Sequence, residues 1–325
     1  MSIVLGILWL TQQYDIIVLF NDISEKNQNR IKWGARKHSN ISIRFIRVCE
    51  YFDNEKLFVD QHLSVETYYR LIIPEIMPAY HKILYLDCDM VTDHDVAELY
   101  DIELNGCIIG AAKDIDVAGQ VNLKQNNWDR YAVEELKLAS PYDYFQAGVL
   151  ILDLELLRRT ASSEEMIRIA LSRSWRCHDQ DVLNMVCKGR VHYIPQKWNT
   201  LMSWKEPGRS RMDILKMAPR KLYEEYIEAR RQPYMIHFAG YQKPWDVADC
   251  DFAEYFWEYA IRSPFKNSSY FATLLSKCTT TLSEGAVLRS SLKNIPVLRK
   301  AANRLLPYGS RRRELIKKFD YNLNK

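Results

Sequence analysis

The chain has 325 residues, of which 47% are hydrophobic, with 11 glycines and 11 prolines. A chain of this length and composition can bury a large core, which excludes a disordered protein. Its seven cysteines are scattered and form no C-x-x-C pair, which argues against a disulfide framework and a zinc site and favours a reducing cytoplasm. The net charge of +4 conceals a basic end, because residues 286–325 hold eleven Lys or Arg and two acids.

Taken in chain order, the first segment is a short apolar run at residues 3–10. It is too short to span a bilayer, and it lacks the basic leader and small-residue cleavage site of a secretory signal. We therefore predict neither export nor a transmembrane helix.

From residue 15 onward, apolar and β-branched runs alternate with segments of helical periodicity. The predicted strands are 15–20, 41–48, 83–86, 107–112, 148–154, 191–194 and 234–238. The predicted helices are 24–37, 65–76, 126–138, 164–175, 181–187 and 212–230. This alternation predicts an α/β fold with a mostly parallel, Rossmann-like sheet covered by helices on both faces. The strand pattern stops after residue 261, so we expect a main domain at 1–262 and a helical, basic extension at 263–325.

An apolar strand within residues 82–92 ends in two carboxylates, Asp87 and Asp89. Ligands of α/β sheets bind beyond the carboxyl ends of the strands, so this pair is placed to hold a metal ion and, through it, a phosphate. Two other interpretations are open. The acids could be solvated loop residues, with Asp95 capping a helix at 96–100. The pattern Asp-x-Asp-x-Val also fits a phosphatase of the haloacid dehalogenase type, although the late Gly-Asp-x-x-x-Asp motif of that class is missing.

Four further segments place polar or small residues where a sugar nucleotide could bind, at strand ends, at a helix start or beside a small-residue pair. Taken singly, each has a structural interpretation: Asp179 as a helix N-cap, His237 as a hydrogen-bonded core histidine, Lys243 as a surface charge. The residues concerned are Arg70, Gln146, Ala147, Gly148, Asp179, Gln180, His237, Gly240 and Lys243.

Five segments of the chain, in their order and spacing, resemble the bacterial glycosyltransferases of family 8. They are Thr-Tyr-Tyr-Arg-Leu, Leu-Tyr-Leu-Asp-Cys-Asp, Phe-Gln-Ala-Gly-Val-Leu, His-Asp-Gln-Asp-Val-Leu-Asn and His-Phe-Ala-Gly-x-x-Lys-Pro-Trp. That group includes the lipooligosaccharide galactosyltransferases and is related to glycogenin. The resemblance covers roughly residues 2–260. It implies a GT-A fold and transfer of galactose or glucose from a UDP-sugar, with retention of configuration. The implied acceptor is a saccharide or lipid-linked saccharide of lipopolysaccharide, capsule or another cell-surface glycan.

The same resemblance implies roles for individual residues. Asp87, Asp89 and His237 would bind Mn²⁺, with Mg²⁺ as an alternative, since carboxylate and imidazole ligands suit these ions better than zinc. Gln180 would lie nearest the anomeric carbon, and Asp179 is the other catalytic candidate. The implied substrate contacts are Arg70, Asp87, Cys88, Asp114, Gln146, Ala147, Gly148, Asp179, Gln180, Gly240 and Lys243.

Two features depart from the family pattern. Gln146 stands where many relatives carry Asn, which retains the amide but lengthens its side chain by one methylene. Residues 1–10 align with the helix that follows the first strand of relatives, so we expect that strand and its nucleotide-binding acids to be missing. Either residues 3–10 substitute as a strand or the true start codon lies upstream. If neither holds, the alternative function is a catalytically impaired protein that binds a glycan or partner.

The basic end interleaves apolar and cationic residues over 294–318. Such a segment can lie on an anionic leaflet, so we predict a cytoplasmic protein attached peripherally to the inner face of the plasma membrane. The alternative is a solvated tail that packs a few leucines on the body. Nucleic-acid binding is not expected, because no recognition module accompanies the charge.

Overall fold

The computed structural model describes residues 12–48, 51, 65–247, 249–269, 271–274 and 276. Its strands are β1 (Tyr14–Phe20), β2 (Ile41–Arg47), β3 (Lys82–Leu86), β4 (Met90–Thr92), β5 (Ile109–Lys113), β6 (Phe145–Asp153), β7 (Val191–Tyr193), β8 (Thr200–Leu201), β9 (Lys205–Glu206), β10 (Arg209–Ser210) and β11 (Met235–His237). Its α-helices are α1 (Glu25–Ala35), α2 (Ile73–Ile76), α3 (Val96–Tyr100), α4 (Ile115–Val121), α5 (Trp128–Arg130), α6 (Leu154–Thr160), α7 (Ser163–Leu171), α8 (His178–Cys187), α9 (Arg211–Leu215), α10 (Arg220–Arg231) and α11 (Ala253–Ala260).

A four-stranded sheet of order β3-β6-β5-β7 carries the core, and β4-β11-β8 form a three-stranded sheet. The α/β class agrees with the sequence prediction, but the strand directions are mixed. Strand β6 runs antiparallel to both β3 and β5, whereas β5–β7, β8–β11 and β1–β2 are parallel pairs. The expectation of a mostly parallel sheet is therefore wrong in detail. An apolar run that is buried on both faces looks the same in either direction, so the sequence pattern did not encode the reversal.

Strand β6 is the centre of the larger sheet, and its residues from Val149 to Leu152 are fully buried. The β5–β6 register shifts between Ala111, which pairs with Leu150, and Lys113, which pairs with Phe145, so the ladder has a bulge-like irregularity in β6. A bulge interrupts the hydrogen-bond ladder and leaves backbone groups without a strand partner. Here it frees the N–H groups of Ala147 and Gly148 for side chains.

Three predicted helices are broken in the structure. The segment 65–76 is a 3-10 helix (Val65–Ile72) followed by α2, because Pro74 has no N–H to continue the ladder. The segment 126–138 is α5 followed by a π-helical turn (Tyr131–Glu135). The segment 212–230 divides into α9 and α10 at Pro219, which stands at the N-cap of α10. The helix at 96–100 is present, and the Asp95 side chain accepts the Ala97 N–H as a cap.

The chain divides into two compact units, with the division between Tyr241 and Gln242. In the second unit, α11 carries Phe256 and Trp257, whose rings lie 5.5 Å from Trp245 and 6.1 Å from Phe271 respectively. The domain limits of 1–262 and 263–325 stay predictions. The apolar segment 3–10 and the basic segment 294–318 lie outside the described residues. Within the described part of the chain, no helix combines the length and apolar character needed to cross a bilayer.

Candidate active site

The turn after β3 is held between two strands that are distant in sequence. The Asp87 N–H donates to the Gly148 carbonyl on β6 at 2.9 Å, and the Phe238 N–H donates to the Asp89 carbonyl at 2.9 Å. Strand β11 pairs antiparallel with β4, so that His237 lies opposite Met90. These backbone contacts bring the ends of β3, β6 and β11 to one point.

Three metal-ligating side chains converge there. The Nε2 atom of His237 lies 3.3 Å from Oδ1 of Asp89 and 3.7 Å from Oδ2 of Asp87. One donor atom from each of these residues lies within 4.8 Å of the other two. Two hard carboxylates and one imidazole suit Mn²⁺ or Mg²⁺, so the donor set fits the ion that the sequence predicts.

Gly148 is required for this convergence because the His237 ring packs directly on it. A Cβ at position 148 would lie 2.3 Å from Cε1 of His237 and 2.9 Å from Oδ2 of Asp87. The sequence interpretation of the Ala147-Gly148 pair as a place of close approach therefore fits the geometry, although the approaching group is a histidine ring.

Arg70 contacts both Asp87, one of the candidate metal ligands, and Asp179, one of the catalytic candidates. Its Nη2 lies 2.8 Å from Oδ1 of Asp87, and its Nε lies 2.9 Å from Oδ2 of Asp179. Its Nη1 donates to the Ala147 carbonyl, and the guanidinium stacks on the Tyr85 ring at 4.5 Å from the centroid. Burial alone would lower the pKa of Arg70, but the carboxylates of Asp179 and Asp87 raise it by more than burial lowers it. The side chain is therefore always positively charged.

Asp179 is not the helix cap that its position in the sequence suggests. Helix α8 begins at His178, and Asp181 rather than Asp179 accepts the N–H of the N-cap residue Cys177, at 2.9 Å. Asp179 instead receives a hydrogen bond from the Thr67 hydroxyl and pairs with Arg70. Burial raises the pKa of Asp179, and Arg70 and Thr67 pull it back in part.

The Gln180 amide is held at both ends. Its Oε1 accepts the Ala147 N–H at 2.8 Å, and its Nε2 donates to Oδ2 of Asp114 at 3.0 Å. Asp114 is buried and also caps α4 through the Val117 N–H. Burial, followed by the charge of Asp116, raises the pKa of Asp114 to about 6. The catalytic candidates Asp179 and Gln180 are thus oriented by residues from different elements.

Gly240 follows β11 with a φ of +108°, a conformation that favours glycine. The carbonyl before it, on Ala239, accepts from Nη1 of Arg211 at 2.8 Å, and Arg211 also pairs with Asp116 at 2.6 Å. The predicted diphosphate residue Lys243 lies in the second unit, so its contact with the site stays a prediction. Cys88 is exposed on the turn between the two acids.

Sequence reasoning assigned no site role to several residues that hold this geometry. Tyr85 donates to Oδ1 of Asp87 at 2.8 Å, and its place in β3 next to the acids was the available signal. Thr67 lies three residues before Arg70, a spacing that a 3-10 helix brings to one side. Asn199 lies in the loop before β8 and Arg211 is the first residue of α9, and no motif or periodic pattern marks either residue.

Comparison with known proteins places this chain in a family. A model of glycosyl transferase family 8 matches residues 4–248, which is most of the chain. The crystal structure of the galactosyltransferase LgtC with donor and acceptor sugar analogues has a TM-score of 0.58 and 28% identity, covering 77% of this chain and 85% of LgtC. The fold and enzyme class are those of GT-A-type glycosyltransferases. The chain belongs to glycosyl transferase family 8.

Curated relatives support the same family. General stress protein A of Bacillus subtilis is 24% identical over 245 residues, covering 72% of this chain and 77% of its own length. Lipopolysaccharide 1,2-glucosyltransferase of Escherichia coli K12 is 28% identical over 181 residues, covering 55% of this chain and 48% of its own length. The chain thus spans about half of that glucosyltransferase.

Proposed function

We propose that the chain is a retaining, metal-dependent hexosyltransferase that moves galactose or glucose from a UDP-sugar to a saccharide acceptor. The carrying observation is the convergence of Asp87, Asp89 and His237 beside the buried Arg70–Asp179 pair. A cation site next to a fixed cation and a carboxylate matches a diphosphate linked to a hydroxyl-rich sugar.

A metal ion held by Asp87, Asp89 and His237 would act on the leaving group of the reaction, which is UDP. When bound there, Mn²⁺ would neutralise the negative charge that develops on UDP as the sugar bond breaks. One oxygen of Asp87 is taken by Arg70 and Tyr85, which leaves Oδ2 directed toward His237. Gly240 is proposed to contact the diphosphate by close backbone approach, and the role of Lys243 as a point charge on the diphosphate is proposed on the family resemblance alone.

The sugar side is proposed to lie against Asp179, Gln180, Asp114 and Gln146. The Gln180 oxygen accepts the Ala147 N–H, and an amide oxygen is a poor nucleophile toward the anomeric carbon. We therefore favour attack by the acceptor on the face that the leaving group departs from, through an oxocarbenium-like, tightly paired state. Asp179 would stabilise the positive charge on the sugar.

The proposed acceptor is a saccharide or lipid-linked saccharide of lipopolysaccharide or another cell-surface glycan. The names of a lipopolysaccharide glucosyltransferase and a galactosyltransferase among the relatives support this class and leave both hexoses as candidates. Attachment to the inner membrane surface through the basic segment is proposed on the sequence alone.

The test is UDP release from UDP-galactose and from UDP-glucose by the full chain, after removal of metal by a chelator and after addition of Mn²⁺ or Mg²⁺. We expect release to vanish without metal and to return with Mn²⁺, because the diphosphate is a poor leaving group while its charge is uncompensated. If UDP is released from neither sugar with any divalent ion, the proposed hexosyltransferase activity is wrong and the glycan-binding alternative is favoured.

The raised pKa of Asp114 predicts a pH dependence. The carboxyl group keeps its proton up to about pH 6, so only above that pH is it an anion that accepts strongly from Gln180. We expect an acid limb with an apparent pKa near 6 in the rate of UDP release, measured between about pH 5 and 8. Asp114→Asn should remove the limb, whereas the half-buried control Asp143→Asn should keep it. A limb that persists in Asp114→Asn would contradict this assignment.

A further inference from the structure

His237 has a buried partner on the side of its ring that faces away from the two acids. Its Nδ1 lies 2.9 Å from Oδ1 of Asn199, and both residues are 1% exposed. Asn199 comes from the loop before β8, which pairs in parallel with β11. The contact is therefore fixed by the three-stranded sheet and not by proximity in sequence.

The direction of this contact follows from a third residue. Nδ2 of Asn199 lies 2.6 Å from Oε1 of Gln146, and the same oxygen accepts the Gly148 N–H at 2.6 Å. A backbone N–H can only donate, so the Gln146 atom facing it must be the amide oxygen. An oxygen cannot donate, so Asn199 must present its NH₂ group to Gln146. The Asn199 oxygen then faces His237.

We propose that Gln146 and Asn199 are positioning residues that fix the proton of His237 on Nδ1 and present its unprotonated Nε2 to the metal. The inference rests on the proposed function for the identity of the ligand at Nε2, but not for the tautomer. The order of donors is Gly148 N–H to Gln146, Asn199 NH₂ to Gln146, and His237 Nδ1–H to Asn199.

The sequence of contacts starts from the β6 bulge. The ladder is interrupted beside Gly148, so its N–H is available to anchor the Gln146 amide. Gln146 and Gly148 are two apart on one strand and lie on the same face, the face against which His237 packs. Outer partners of this kind set the tautomer and ring orientation of metal-ligating histidines. A buried imidazole without such a partner could present N–H to the metal instead.

The first test reads the tautomer without metal. In protein labelled with ¹⁵N-histidine, long-range proton–nitrogen spectra distinguish Nδ1–H from Nε2–H, and His237→Gln assigns the signal among the seven histidines. In the form of the ring that carries a single proton, we expect that proton on Nδ1 of His237, because Nδ1 faces the Asn199 oxygen. The Nε2–H tautomer would overturn the proposal. That result would not change the outcome of the UDP-release assay, so failure of the tautomer proposal and failure of the proposed function are distinguishable.

The second test uses matched substitutions. Asn199→Leu removes both contacts and should weaken Mn²⁺ binding, measured from the free-Mn²⁺ electron paramagnetic resonance signal, by about 10- to 100-fold. In Gln146→Leu the Asn199 amide is no longer oriented, so the proton of His237 should no longer be confined to Nδ1. Gln146→Glu keeps an oxygen that accepts from both donors, so His237 should retain Nδ1–H. Asn122→Leu is the control, because Asn122 also makes two hydrogen bonds but lies exposed at the end of α4. Equal Mn²⁺ affinity in Asn199→Leu and Asn122→Leu would refute the role, as would an unchanged tautomer in Gln146→Leu.

Discussion

Replacing Asp89 by alanine is expected to lower Mn²⁺-dependent UDP release by about a thousandfold or more, since ligation of the leaving group provides several kcal/mol and each 1.36 kcal/mol is tenfold in rate. Asp89 supplies the oxygen nearest to Nε2 of His237, at 3.3 Å. Asp87 cannot replace it, because one Asp87 oxygen already serves Arg70 and Tyr85. The remaining pair would be one carboxylate oxygen and one imidazole, which is a weak site for a hard cation.

This loss should come from metal binding and not from unfolding. The Asp89 side chain is 21% exposed, so its removal leaves space that water can fill. A control is available in the same acidic stretch, where Asp93 is exposed and lies outside the metal group. Asp93→Ala should keep near-normal turnover and Mn²⁺ affinity. Turnover in Asp89→Ala within tenfold of the unsubstituted chain would contradict the assignment of the metal site.

Local patterns in the sequence determine where the three candidate metal ligands stand in the fold. The apolar run before Asp87 and the run before His237 each form a strand, and acids or imidazole at the end of a strand come to the edge of a sheet. The convergence itself was predicted only through the family resemblance, since no local rule relates Asp87 to His237. The described structure supplies the distances between them.

The features that the sequence did not reveal are tertiary. The bulge at residues 146–148 of β6 depends on how β5 and β6 align, and nothing in the facing Ala-Ala-Lys at 111–113 marks it. The roles of Asn199 and Arg211 follow from a loop and from the start of α9, which meet the site from distant parts of the chain. The break of the predicted helix at 212–230 had a local signal in Pro219, but helical periodicity on both sides concealed it.

Replacing Arg70 by methionine is expected to destabilise the fold by about 3–5 kcal/mol, because it removes one partner from a buried ionic group and leaves the others uncompensated. The Arg70 side chain is 7% exposed and that of Asp179 is 4% exposed. Burial already raises the pKa of Asp179 against the opposing effect of Arg70. Without the guanidinium, the Asp179 carboxylate would lose its cationic partner and keep the hydrogen bond from the Thr67 hydroxyl, so its pKa should rise further.

The sign of the pH effect follows from that rise. A carboxyl group whose pKa is higher in the folded than in the unfolded chain stabilises the fold below its unfolded pKa, and that stability is lost as pH rises through the folded pKa. The stability difference between the unsubstituted chain and Arg70→Met should therefore be largest at neutral pH and smaller near pH 5, where more of Asp179 is protonated. Urea denaturation at the two pH values, followed by tryptophan fluorescence, measures this difference.

Arg44→Met is the matched control for this experiment. Arg44 also pairs with an aspartate, Asp15, but the two side chains are 51% and 35% exposed. Water and salt screen an exposed pair, so its removal should leave the urea midpoint near that of the unsubstituted chain. A midpoint for Arg70→Met equal to that for Arg44→Met would mean that Asp87 and Asp179 do not need the guanidinium. In that case Arg70 would not be the residue that holds Asp87, at the proposed metal site, together with Asp179, on the proposed sugar side.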